Sequence, residues 1–217
     1  MKWTHLRRAP WLDTRARFVA QTPQGGTLLD LGSSDGETLR HFAELRPDLR
    51  LFAADIAGAP EQYPRDCEFF RGDLERDRLP WADASMDAVT CMHLVEHLRD
   101  LTLLLAEIGR LLKPGGRVYF ETPHPKTVKY ASPRDAFAGL FTLNFYDDPT
   151  HVRPVSAGAL ARQCRAHGLE VVRTGTSRNW LFAAAWPVLW WRRPSRQRYT
   201  ALVHWRGWSV YVIARRR

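Results

Sequence analysis

LLDLGSSDGETL, residues 28–39, is the stretch whose reading decides the fold. An apolar run ends in Asp30-Leu31-Gly32. A turn of small residues follows, and a helical pattern begins after Gly36. Glycines let a backbone approach a ligand closely, and the first turn of a helix offers free amides. The spacing is not that of a dinucleotide loop, G-x-G-x-x-G, because Ser33, Ser34, Asp35 and Gly36 follow Gly32. Asp35 would also repel the phosphates of a dinucleotide.

Outward from this loop, short apolar runs alternate with amphipathic stretches, the pattern of a mostly parallel sheet covered by helices. TLLDLG (27–32), LFAAD (51–55), CEFFRGD (67–73), MDAVTCM (86–92) and RVYFET (117–122) read as strands one to five. GETLRHFAELRP reads as a helix closed by Pro47, and LTLLLAEIGRLLKPGG as a helix stopped by Pro114 and Gly115. SAGALARQCRAHG (156–168) carries an N-cap serine and a terminal glycine, LEVVRTG is a strand, and GWSVYVIA supplies the last. Two stretches break the rhythm. Residues 123–155 hold turn signals and aromatics, as an insertion carrying acceptor contacts would. Residues 177–198 read as an irregular, aromatic and basic insertion.

The 217 residues suit one domain spanning 1–217, and 45% apolar composition provides a core. Cys67, Cys91 and Cys164 have neither metal nor redox spacing, so no disulfide is expected and a reducing compartment fits. The basic N-terminus lacks the apolar region of a secretory signal, and no apolar run reaches the roughly 18 residues of a membrane span. A cytoplasmic protein is expected. The net charge of +9 is uneven: residues 153–217 hold thirteen arginines and one acid, Glu170, leaving −3 for residues 1–152. This asymmetry suits an anionic partner, whether phosphorylated substrate, acidic membrane surface or nucleic acid. An arginine-rich composition, with only four lysines, would give the same balance.

The order of motifs resembles the class I S-adenosylmethionine-dependent methyltransferases. Asp30, Gly32 and Gly36 match the family's first motif, with Ser34 in place of its middle glycine. Asp55 ends the second strand, where an acid suits two ribose hydroxyls, and Ile56 follows it. Gly72-Asp73-Leu74 stands where the family meets the adenine amino group. MDAVTCMHLVEHL, with Met92, resembles the strand beside the methionine part of the donor, and LLKPGGRVYFETPHP resembles the helix, turn and fifth strand. The resemblance implies a Rossmann-like, doubly wound α/β fold: a mostly parallel seven-stranded sheet with an antiparallel C-terminal strand. It implies S-adenosylmethionine as cofactor, held by Asp30, Gly32, Ser34, Gly36, Asp55, Ile56, Asp73, Leu74 and Met92.

On the acceptor side, a hydroxyl nucleophile wants a base, for which histidine is suited. His124 and His151 are the candidates; NFYDDPTHVRP around His151 resembles a segment of bacterial methyltransferases acting on glycans, lipid-linked sugars or other small molecules. As structural alternatives, Asp147-Asp148-Pro149 is a turn and His151 an ordinary hydrogen bonder. His93, Glu96 and His97 have helical spacing but not H-E-x-x-H order, so no metal is expected there. WLFAAAWPVLWW (180–191) with its flanking arginines would sit at a lipid interface through 180–193 or cover a lipid-linked substrate; the structural alternative is a helix packed against the core or a partner subunit. The expected function is methyl transfer to an oxygen of a glycan or lipid-linked small molecule. The alternatives are methylation of RNA or protein, against which stands the lack of an Asn-Pro-Pro-Tyr motif after strand four, and an inactive binding protein that keeps the fold.

Overall fold

The computed structural model describes residues 3–133 and 141–217. Residues 134–140, within the expected 123–155 insertion, lie outside the described residues, as do the first two. The strands are β1 (Thr27–Leu31), β2 (Arg50–Asp55), β3 (Glu68–Arg71), β4 (Met86–Met92), β5 (Leu112–Pro123), β6 (Leu169–Thr176) and β7 (Ser209–Arg216). They form one seven-stranded sheet in the order β3-β2-β1-β4-β5-β7-β6. β1 to β5 pair in parallel, and β7 lies antiparallel between β5 and β6. The expected doubly wound sheet with one antiparallel C-terminal strand is the sheet observed.

Helices cover both faces, because each carries one apolar stripe. α1 (Thr14–Val19) and α2 (Glu37–Leu45) bury Phe18, Val19, Leu39 and Phe42 with Leu28 and Tyr119 on one side. α3 (Thr102–Leu111) and α4 (Ala157–Ala166) bury Leu104, Leu105, Ile108, Leu160 and Cys164 with Leu29, Val89 and Val118 on the other. Each fully buried leucine stabilises by about 1.5–3 kcal/mol. Ser156 caps α4, its hydroxyl accepting from Ala159 N–H at 3.1 Å. β5 begins earlier than the predicted 117–122, because Leu112 pairs with Met86 before a register shift between Met86 and Ala88.

Residues 177–198 correct the sequence reading. Instead of an irregular patch, two helices form: α5 (Trp180–Leu189) and α6 (Arg196–Arg206). Asn179 caps α5 by accepting from Leu181 N–H and Phe182 N–H, and Ser195 caps α6 by accepting from Arg198 N–H. Pro187 sits inside α5, where it withholds one helical hydrogen bond without ending the helix. Gly207, at φ +60°, takes the left-handed turn that ends α6. α1 is tied to this hairpin, with Asp13 accepting from Asn179 Nδ2 and Thr14 N–H donating to the Arg178 carbonyl.

Candidate active site

The loop after β1 is shaped by its backbone. Gly32 and Gly36 both take φ +74°, and Ser34 between them takes +49°. A Cβ on Gly36 would stand 2.7 Å from the Gln62 carbonyl oxygen, so the loop is packed tightly against residues 62–63. Asp55, at the end of β2, fastens the loop: its Oδ2 accepts from Ser34 N–H at 2.8 Å and its Oδ1 from Ala57 N–H at 2.9 Å. Each carboxylate oxygen keeps a further lone pair.

These elements wall a cavity of about 430 Å³ above the C-terminal ends of β1, β2 and β4, lined by Gly32, Ser34, Asp55, Ile56, Asp73 and Leu74, together with Glu75, His93, Leu94 and His97. That is the crevice at which open α/β sheets bind ligands. Its size suits a nucleoside-sized molecule. Asp55, Asp73 and Glu75 face it, and no lysine or arginine is among its described lining residues. Such a wall repels pyrophosphate and favours an ammonium or sulfonium. Ile56, 65% exposed, and Leu74 give apolar contact for a flat ring. The residues present therefore fit S-adenosylmethionine.

Of the residues named from sequence, Gly32, Ser34, Asp55, Ile56, Asp73 and Leu74 are brought together on this wall. Asp30, Gly36 and Met92 are not among its lining. Asp30 is buried beneath the loop, where Thr90 Oγ1 donates to its Oδ1 at 2.6 Å. Burial, with the Thr90 hydrogen bond opposing and the Asp55 charge adding, pushes the Asp30 carboxyl up to about 7. Met92 packs against the apolar cluster under α1 and α2. His124 caps a 3-10 turn over Pro125–Lys129, its Nδ1 accepting from Lys126 N–H at 3.0 Å. His151 is turned inward, with Nδ1 2.6 Å from the Phe145 carbonyl oxygen. Neither His124 nor His151 lines this cavity or the one beside it.

That second cavity, about 230 Å³, is lined by Arg15, His93, Glu121, Ser177, Thr200, Val203, His204 and Trp208, among others. His93 belongs to both cavities. It follows β4 at φ +53°, and its Nδ1 lies 3.1 Å from Glu96 Oε1 while its Nε2 lies 3.4 Å from Glu121 Oε1. Burial alone would depress this imidazole, but Glu121 and Glu96 hold its proton and push it up to about 9. Glu121, 1% exposed at the end of β5, also accepts from Arg15 Nε at 2.9 Å, Tyr119 Oη at 2.6 Å and Ser177 Oγ at 2.8 Å. Burial would raise the Glu121 carboxyl, but Arg15 and His93 outweigh it and hold it well below the usual range. Sequence reading missed Arg15, His93 as a bridge, and Glu121. Arg15 and Glu121 lie 106 positions apart, and only the acid's place at a strand end marks it out.

A carboxylate-lined crevice at the strand ends of this sheet, cradled by a left-handed glycine loop, defines a class I S-adenosylmethionine-dependent methyltransferase. Comparison with known proteins agrees: the model of the methyltransferase domain family matches residues 3–174, and the chain belongs to that family. Its cofactor is S-adenosylmethionine. The chain is 32% identical over 151 residues to demethylmenaquinone methyltransferase of Deinococcus radiodurans, covering 64% of this chain and 55% of that protein. It is 34% identical over 94 residues to ubiquinone biosynthesis O-methyltransferase of Neisseria meningitidis, covering 42% and 38%. A solved S-adenosylmethionine-dependent methyltransferase of Mesorhizobium loti shares the fold at TM-score 0.68 and 18% identity, covering 97% of this chain and 98% of that one. The chain spans between 20% and 55% of the length of the first curated relatives it matches.

Proposed function

We propose that this protein transfers a methyl group from S-adenosylmethionine to an oxygen of a small, largely apolar acceptor seated in the second cavity. The observation that carries the reading is the sharing of His93 by the two cavities, which brings the donor crevice and a separate chamber to one residue. The donor supplies an electrophilic methyl group on a sulfonium. The chain's work is then to align acceptor and donor and to exclude water. Val203 and Trp208 give the second cavity apolar walls, while Ser177 and Thr200 offer hydroxyls to orient a polar end. The network of Arg15, Glu121 and His93 fixes the boundary between the chambers. Glu96 and Glu121 engage the two nitrogens of His93, so that ring positions rather than accepts a proton.

The α5–α6 hairpin favours a lipid-linked or quinol-like acceptor over a free sugar. Trp180, Val188, Trp190, Trp191 and Trp205 are each at least half exposed on it, among Arg192, Arg193, Arg196 and Arg198. Thr200 and Val203 of the same hairpin line the second cavity. No helix among the described residues is long and apolar enough to cross a membrane. The arrangement suits contact with a lipid surface, which would hand an amphipathic acceptor to the chamber.

Calorimetric titration with S-adenosylhomocysteine, with NAD as control, tests the donor half; micromolar binding of the first alone, about −8 kcal/mol, is expected. Transfer of labelled methyl to a panel of quinols, hydroxylated aromatics, lipid-linked sugars, free glycans and RNA tests the rest. Labelling of RNA or free glycans alone would overturn the acceptor reading. No donor binding by folded protein would overturn the function.

A further inference from the structure

The turn after β4 and the loop carrying residues 145–152 meet through the Val152 N–H, which donates to the Glu96 carbonyl at 2.8 Å. This brings together Glu96, His97 and His151, which offer one donor atom each, all within 4.8 Å of one another. The sequence pairing of His93 with His97 pointed away from a metal. The folded chain assembles a different set.

The hydrogen bonds around the cluster fix where its lone pairs are. His151 Nδ1 lies 2.6 Å from the Phe145 carbonyl oxygen, which can only accept, so that nitrogen carries the proton. Thr150 Oγ1 donates to Asp148 Oδ1 at 2.6 Å, and so accepts from His97 Nδ1 at 2.9 Å. When the rings are neutral, Nε2 of each is therefore the bare acceptor. Glu96 is fully buried; its Oε1 is engaged by His93, and its Oε2 has no hydrogen-bond partner. Asp148 Oδ2 adds negative charge 3.8 Å from His151 Nε2. Two such nitrogens and a carboxylate oxygen with no hydrogen-bond partner make a donor set that a cation would join. Orientation of each ring by a hydrogen bond from its other nitrogen is the usual support of a metal-binding histidine.

We infer that Glu96, His97 and His151 bind a divalent transition-metal ion of the Zn²⁺ type. Two imidazoles and a carboxylate suit that class of ion, and side-chain movements of about 1 Å would bring the donors to metal-bond distance. The ion would pin the 145–152 loop to the wall of the donor cavity, which His97 lines. The assignment stands apart from the methyl-transfer reading, since it needs neither donor nor acceptor.

The test uses the full chain, stripped with a chelator and titrated with ZnCl2 against a chromophoric competitor. One equivalent should bind to the wild type, and His151→Ala and His97→Ala should each weaken it at least 30-fold. X-ray absorption at the zinc edge of the loaded wild type should show two imidazole ligands, and it decides the matter if either variant fails to fold. Unchanged affinity in a folded variant, absence of a stoichiometric site in the wild type, or a zinc spectrum without imidazole would overturn the inference. Failure here with intact S-adenosylhomocysteine binding would leave the proposed function untouched.

Discussion

Replacing Glu121 by Gln should destabilise the fold far more than a change of one atom suggests. The carboxylate accepts from Arg15, Tyr119 and Ser177 and stands 3.4 Å from His93. Glutamine offers one acceptor oxygen in place of two and turns an NH2 group toward neighbours that are themselves donors. It also leaves the Arg15 guanidinium without its counter-charge. Breaking a buried ion pair on one side costs about 3–5 kcal/mol. The Arg15 side chain keeps 28% exposure against 1% for Glu121, so water recovers part of the loss and the lower end applies, about 3 kcal/mol. For a domain of this size that lowers the melting temperature by about 6–12 °C. Thermal and urea unfolding followed by circular dichroism would measure it. Adding Arg15→Met should recover at least about 1 kcal/mol through coupling of the pair. A Glu121→Gln protein within 1 kcal/mol of wild type, or strict additivity in the double variant, would refute the placing of this network at the heart of the site.

Asp55→Ala should weaken S-adenosylhomocysteine binding by about 100-fold, since two charge-assisted hydrogen bonds are lost, while a melting curve shows the chain still folded. Gly36→Ala should cost about 1–3 kcal/mol and reduce donor binding, because φ +74° and a 2.7 Å approach to the Gln62 carbonyl force the loop to shift; unchanged melting and titration would contradict this. Burial, with the positive charges of Arg15 and Arg178 adding and Glu121 opposing, lowers His204 from 6.5 to about 4. A folded value below the unfolded one means stability is full above pH 6.5 and is lost as pH falls toward 4, by at most about 3 kcal/mol. Urea unfolding across that window should show the slope in the wild type and lose it in His204→Gln.

The wall of the first cavity was legible because its signals are local. A strand, a left-handed turn and a helix follow one another within residues 27–45, and Asp55 and Asp73 each close their own strand-to-turn junction. Asp30 shows the limit: its position in the motif was readable, but its burial against Thr90 depends on a strand 60 residues away. Residues 177–198 misled because Pro187 interrupts their apolar run; Pro194 lies between the two helices. Asn179, Ser195 and Gly207 supply caps strong enough to hold two helices around them. The second cavity and the Glu96, His97 and His151 cluster were not legible at all. Their members come from segments far apart in sequence, joined by the sheet and, in the cluster, by the bonds from Val152 to Glu96 and from His97 to Thr150.

The place of β7 also sets a timetable for synthesis. β6 reaches the sheet only through β7, which begins at Ser209 while β6 ends at Thr176. On a ribosome adding roughly 5–20 residues each second, β6 has no ladder to join for about 2–7 s after it is made. The free edge of β5 waits as long. During that interval the nascent chain presents two unsatisfied strand edges, so a pause in translation between codons 177 and 208 should favour capture by chaperones or pairing with another chain.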